Sequence, residues 1–312
     1  MIKIAFLFPG QGSQVVGMGM DLFQADDVVR EIFDAADEIA GAPISRYCFS
    51  GPMETLTETV TLQPAITAMN LSCLAVLQRA GVACEVSAGH SLGEFSALYG
   101  AGVLSLADTL KAVFRRGELM HRESSRFKGA MSAIIGLDME AVSDLVKIGQ
   151  KSGAVSVANH NSATQIVITG SPEGVAAVSM AAKAKGAKAM ALKVSGAWHS
   201  ELIRGAEADF AGFLAEIPFA SPVHPVIHNV TADHCEDGNE IRDLMVRQLC
   251  SPVRWHDTIC RMVADKVTVF VEVGPGKVLT GLLKKIIPAD YAYQAYAVNS
   301  MESLDAMATA LS

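Results

Sequence analysis

The segment IKIAFLF, residues 2–8, is apolar at every position but Lys3 and stops at Pro9-Gly10. A run without polar alternation cannot keep one face in water. It reads as a strand covered on both sides, the situation of a parallel sheet flanked by helices. The next segments agree. DDVVREIFDAADEIA carries apolar residues at helical spacing behind an acidic first turn, and PAITAMNLSCLAVLQRAG is an apolar helix closed by Gly81. CEVSAGH is a short strand that runs straight into a serine, while SLGEFSALYGAG and SLADTLKAVFRRGELMHRES read as helices. Strands alternating with helices predict an α/β fold built on a parallel sheet.

From about residue 127 the pattern changes. GAMSAIIGL, AVSVANH, QIVITG and AKAMALKV are strand-like, with MEAVSDLVKIGQ helical after the first and PEGVAAVSMAAKAKG helical after the third. That β-α-β-β-α-β order over about 65 residues is the ferredoxin-like pattern, short enough to be an insertion. The α/β texture then resumes with a helix from about residue 200, a strand PVIHNV and the segment VTVFVEVGPGKVLTGLLKKI. The expected architecture is a large parallel-sheet α/β hydrolase-like domain, residues 1–126 and 195–312, interrupted by a small ferredoxin-like subdomain at 127–194.

Composition removes several function classes. The 312 residues are enough for a sizeable core, and with half of them hydrophobic the chain is globular. The formal charge is −8 and no basic stripe appears, which argues against nucleic acid as a partner. The six cysteines are scattered without Cys-x-x-Cys or zinc-type spacing, so no metal is expected. The N-terminal apolar run lacks the cleavage site of a signal peptide, and no uncharged apolar run approaches the ~20 residues that span a bilayer. The expectation is a protein of the reducing cytoplasm with no membrane contact.

GHSLGEFSALYG, residues 89–100, sets Ser91 in a Gly-x-Ser-x-Gly pattern between a strand and a helix. The pattern alone arises by chance in a glycine-rich chain. Its strand–turn–helix setting makes Ser91 a candidate nucleophile, because a strained turn leaves no room for neighbouring side chains. A hydroxyl also needs a base within hydrogen-bond reach. Of the eight histidines, His121, His160, His224, His228, His234 and His256 have ordinary surface or packing explanations, and His90, beside the serine at a sharp turn, is expected to point away. His199 lies in VSGAWHSEL, where the chain returns to the large domain. Position favours it, against the usual reading of such a residue as a cap or core histidine.

FPGQGSQVVGMG, residues 8–19, fails the Gly-x-Gly-x-x-Gly dinucleotide spacing. It reads instead as a loop whose amides face the same strand-end crevice as Ser91. One of them, with the amide after the serine, would form an oxyanion hole. Arg116 sits inside the apolar helix LKAVFRRGELM. A buried arginine needs an anion, and its planar fork suits a carboxylate; the neighbouring Arg115 reads as a snorkelling surface residue.

In order along the chain stand FPGQGSQ, GHSLGEFSAL, RRGELM, NHNSATQIVITG, GAWHS, RQLCSPVRW and EVGPGKVLTGLLKK. In these the sequence resembles the malonyl-CoA:acyl carrier protein transacylase family, acyltransferases of fatty acid and polyketide synthesis. The resemblance implies transfer of malonyl from malonyl-CoA to the phosphopantetheine thiol of holo acyl carrier protein through a malonyl-serine. It implies a cytoplasmic monomer with no cofactor and no metal. On this resemblance Ser91 is acylated, His199 is the base and later the acid, and Gln11 and Leu92 give the oxyanion hole through backbone amides. Arg116 would pair with the malonyl carboxylate, and Gln248 would orient the histidine through its main-chain carbonyl, a Ser-His dyad without a carboxylate. Asn161 would line the cleft.

Two positions depart from the family pattern. Trp198 stands where phenylalanine or serine is common, a bulky wall that bears on larger acyl groups, and Ala163 stands where proline is common. Two other readings remain beside this one. A serine thioesterase or hydrolase on a similar scaffold is disfavoured by the arginine and by the missing acidic third member. An acyltransferase serving a polyketide synthase or a malonate-decarboxylating complex would share the same chemistry.

Overall fold

The computed structural model describes residues 2–311 and has the α/β class read from the sequence. Its strands are β1 (Ile4–Phe8), β2 (Val86–Gly89), β3 (Ala130–Ile135), β4 (Val155–Ser162), β5 (Gln165–Gly170), β6 (Lys188–Ala191), β7 (Val226–Ile227), β8 (Val269–Val273) and β9 (Gln294–Val298). Five form a parallel sheet in the order β7-β2-β1-β8-β9. The side chains of β1 alternate between two cores. Phe6 and Phe8 join Leu74 and Val271 on one side of the sheet, and Ala5 and Leu7 join Phe270 and Leu283 on the other. Both faces are dry, which is why the run shows no polar alternation; each large side chain so buried contributes about 1.5–3 kcal/mol.

The helix Thr59–Arg79 lies within the first of these cores. By length and mean hydropathy, 1.5, it could cross a membrane, but 89% of its apolar window is buried inside the fold. Its polar residues have inward work: Asn70 Nδ2 donates to the Pro9 carbonyl at 3.0 Å and to Ser96 Oγ at 3.1 Å. It thereby pins the loop after β1 against the helix that follows Ser91.

The remaining strands form an antiparallel sheet, β4-β5-β3-β6. One face of it is covered by the helices Met139–Gly149 and Pro172–Ala184 around Ile134, Ile166, Ile168 and Val178. From the other face Met131, Ala133 and Val167 join the core of the parallel sheet. A backbone bridge between Asn159 and Val253 ties β4 to the segment entering the helix Trp255–Ala264.

Several elements differ from expectation. PVIHNV yields only Val226–Ile227, because His228 and Asn229 leave the sheet to bond residues around Ser91. AKAMALKV keeps only Lys188–Ala191. The helix expected from about residue 200 starts as a 3₁₀ segment, Glu201–Ala206, with Ser200 Oγ accepting from Leu202 N, and becomes α-helical over Glu207–Ala215. Edge strand β9 is not expected from the sequence, because it is only half buried and shows no strong pattern.

Gly89 and Gly93 let the turn between β2 and its helix close. A Cβ on Gly89 would overlap the carbonyl of Gly93, and one on Gly93 would overlap the Phe8 carbonyl oxygen. Gly93→Ala is therefore expected to destabilise by about 3 kcal/mol or more, since backbone has to move. Gly212→Ala, on a helix with open space around the added methyl, should instead stabilise by up to about 1 kcal/mol. Denaturant midpoints measure both, and equal midpoints for the two variants would contradict the packing described.

Candidate active site

Ser91 lies two residues beyond the end of β2 and has φ 52°, a left-handed conformation that side chains rarely adopt. Such strain costs about 1–3 kcal/mol and persists only where the surroundings over-determine it. They do here. Ser91 N donates to Asn229 Oδ1 at 2.7 Å, and Ser91 O accepts from Gln248 Nε2 at 2.9 Å and from Glu94 N at 3.1 Å. The turn throws Oγ toward the space beyond the strand ends.

His199 meets it there. Its Nε2 lies 2.8 Å from Ser91 Oγ and its Nδ1 lies 2.9 Å from the Gln248 carbonyl. A carbonyl can only accept, so Nδ1 carries the hydrogen and Nε2 presents a lone pair to the serine hydroxyl. His199 is also in the left-handed region, φ 60°, one residue before the Ser200 cap. Burial, and then the nearby Arg116 cation, push its pKa down to about 3. The imidazole is neutral at neutral pH, the form a base requires.

Arg116, on the helix Leu106–Arg126, is fully buried. Nη1 donates to Gln63 Oε1 at 3.1 Å, while Nη2 donates to Gln248 Oε1 at 3.1 Å and to Ser91 Oγ at 3.2 Å. Nε has no partner. Every acceptor is neutral, and the carboxylate acting on the guanidinium, Glu94, does so through space. Burial lowers its pKa to about 10, which leaves it charged at neutral pH. A buried cation without a contacting anion is the costly arrangement unless a ligand supplies one. Arg115 behaves as the sequence implies, half exposed and paired with Glu118.

The backbone amides of Gln11 and Leu92 donate to no protein acceptor among the described residues. Leu92 opens the helix Gly93–Gly100, so its amide adds to the positive end of that helix beside the serine. A cavity of about 620 Å³ lies between Gln11, Thr59, Leu62, His121 and Trp198. A second, about 250 Å³, runs past Gln11 to His90 and Asn161. Asn161 Oδ1 accepts from His90 Nε2 at 2.9 Å, which turns that ring away from Ser91.

An acyl transferase domain family accounts for residues 5–303. The chain belongs to that family. The malonyl CoA-acyl carrier protein transacylase of Bacillus subtilis (strain 168) is 42% identical over 288 residues, 92% of this chain and 91% of that protein. An acyl carrier protein S-malonyltransferase from Vibrio cholerae superposes with a TM-score of 0.92 at 41% identity over 98% of this chain and 99% of that one. A chain from the complex of a type II PKS acyl-carrier protein with its malonyl-transacylase gives 0.94 at 39% identity, with 99% of each chain covered.

In this acyl transferase domain the structure adds residues that the sequence reading passed over. Glu94 is buried and accepts from His228 Nδ1 at 2.8 Å, Gln248 Nε2 at 2.7 Å and Asn229 N at 3.3 Å. His228, read from sequence as an ordinary surface or packing histidine, is wholly buried and holds that carboxylate. Asn229 bridges Gly89 O and Ser91 N, and Gln63 anchors Arg116. The Glu94 carboxylate sits behind the serine turn, not against His199.

His199 and His90 both titrate below the ordinary 6.5, burial being the larger cause in each. The unfolded chain takes up protons near 6.5 that the folded chain refuses, so this stability is fully present above 6.5 and falls as pH drops toward 3. His199→Gln removes one of the two groups and should flatten the loss. Urea midpoints measured across that range check it, and superimposable pH profiles for wild type and variant would contradict the assignment.

Proposed function

We propose that the chain transfers a malonyl group from malonyl-CoA to the phosphopantetheine thiol of acyl carrier protein through a malonyl ester on Ser91. The observation that carries the reading is Arg116, a buried guanidinium whose contacts are all neutral and one of which is the Ser91 hydroxyl itself. A small acyl group ending in a carboxylate fits beside that serine and supplies the missing anion.

The geometry gives each step a group. His199 Nε2 takes the Ser91 proton as Oγ bonds to the thioester carbon, and the carbonyl oxygen collects the free amides of Gln11 and Leu92. The tetrahedral species collapses, the carbon–sulfur bond breaks, and His199 returns the proton to the departing thiolate. The carrier's thiol then gives its proton to His199 and attacks the ester. The Ser91–acyl bond breaks and the hydroxyl regains its hydrogen. Gln248 keeps the histidine in the one tautomer that can do this. Asn161 holds His90 clear of the path, and residues 127–194 act as the subdomain that walls the cleft.

The similarity to the transacylase solved with a type II PKS carrier favours a polyketide role as a second reading of the same chemistry. A hydrolase reading has less support, because no carboxylate stands behind His199, whose Nδ1 donates to the Gln248 carbonyl instead of to an acidic third member.

Arg116→Ala is expected to lower kcat/KM for malonyl-CoA by roughly 2–5 kcal/mol, the range for truncating one side of a buried charge pair. Acetyl-CoA leaves no charge unpaired and should lose much less. The measured quantity is the malonyl-to-acetyl ratio of kcat/KM, with Arg115→Ala as a control expected to leave it unchanged. An equal loss for both substrates would make Arg116 structural.

A further inference from the structure

Away from the serine, β4 and the helix Trp255–Ala264 bring His160 together with the neighbouring pair His256 and Asp257, far from it in sequence. His160 N donates to the Val253 carbonyl at 2.9 Å and Val253 N to the Ala158 carbonyl at 2.8 Å, so the strand is locked beside the first turn of that helix. Register shifts on either side of Asn159 and His160 re-aim the strand's side chains at this point. The imidazoles of His160 and His256 stack with centroids 4.5 Å apart and 24° between planes. Their Nδ1 atoms address one oxygen, Asp257 Oδ1, at 3.7 Å and 3.3 Å.

We propose that His160, His256 and Asp257 form a binding site for a divalent cation of the zinc class, stapling the antiparallel sheet to the parallel-sheet core. The three ligand atoms lie within 4.8 Å of one another. Bonds of about 2.0–2.2 Å to a tetrahedral ion put ligand atoms about 3.3–3.6 Å apart, close to the spacings the carboxylate oxygen has to both nitrogens, and the stacked rings reach the ion by turning about their Cβ–Cγ bonds to bring it into both ring planes. Arg254 Nε binds the other oxygen, Asp257 Oδ2, at 2.8 Å, which leaves Oδ1 turned to the imidazoles. The guanidinium's charge opposes a cation, so the affinity should be moderate. The three side chains are partly exposed, giving an ion a way in and leaving its remaining position to water.

Two imidazoles and one carboxylate select a borderline ion over magnesium or calcium, which prefer all-oxygen sites. The thiol of Cys260, one turn along the helix with Sγ 3.8 and 3.9 Å from the His256 ring nitrogens, favours the same class. The site shares no residue with the proposed acyl-transfer machinery, so it stands or falls independently.

The test is calorimetric titration of Zn²⁺ into the chelator-stripped full chain near neutral pH, with Mg²⁺ and Ca²⁺ run in parallel. One Zn²⁺ per chain is expected, weakened at least tenfold by His160→Ala and by His256→Ala, each being a direct ligand. Zn²⁺ should also raise the thermal midpoint of wild type and leave that of His256→Ala unmoved. His256 is on a formed helix with its side chain partly exposed, so the metal-free midpoint of that variant should match wild type even where His160→Ala folds poorly. Zn²⁺ binding that survives in both histidine variants and disappears in Cys260→Ala overturns the site. Equal binding of Mg²⁺ or Ca²⁺ overturns the class of ion.

Discussion

Gln248 is the residue on which the serine site depends. Its carbonyl accepts from His199 Nδ1, its side-chain oxygen accepts from Arg116, and its amide nitrogen donates to the Ser91 carbonyl and to Glu94. One buried residue thus sets the tautomer of the base, the place of the cation and the strained backbone of the nucleophile. Each bond is made out of water, where a partner left unmatched costs about 1–3 kcal/mol. The three settings therefore move together. Glu94 closes the network from behind, held by His228 and the Asn229 amide, and there it acts on Arg116 only through space, without contacting the guanidinium.

That placement of charge has a consequence for the proposed reaction. Arg116 is one of the causes that depress His199, after burial. A substrate carboxylate arriving on the guanidinium cancels part of the repulsion, so the same contact that selects the acyl group raises the proton affinity of the base. Selection and activation then share one side chain. The loop after β1 and the first turn of the helix behind Ser91 meet this pocket because β1 and β2 are parallel neighbours and end side by side. The crevice at the carboxyl ends of such strands is where this class of fold places its ligands.

Much of this is legible in the sequence, for physical reasons. The apolar run that ends at Phe8 announces a strand dry on both faces, which forms over Ile4–Phe8 and leaves Ile2 exposed, and Gly89 and Gly93 announce a turn with no space for side chains. Arg116 announces itself by charge in an apolar helix. Other parts leave no local trace. His228 and Glu94 are far apart in the chain, and each looks like an ordinary polar residue until the fold buries both. Gln63 reads as a polar interruption of a core helix and proves to hold one arm of the arginine. PVIHNV has the composition of a full strand, yet its last residues are drawn out of the sheet by the demands of the serine turn. His160 and His256 show no metal-type spacing because the bridge between Asn159 and Val253, not local sequence, brings them together.

The proposed reaction turns on Ser91 carrying the acyl group between two thiols. Intact-protein mass spectrometry after mixing the chain with malonyl-CoA tests it most directly. A single malonyl adduct is expected that maps to Ser91, is absent from Ser91→Ala, and disappears when holo acyl carrier protein is added as that carrier gains the same mass. Undiminished labelling of Ser91→Ala, or an adduct that water discharges as fast as the carrier does, would contradict it.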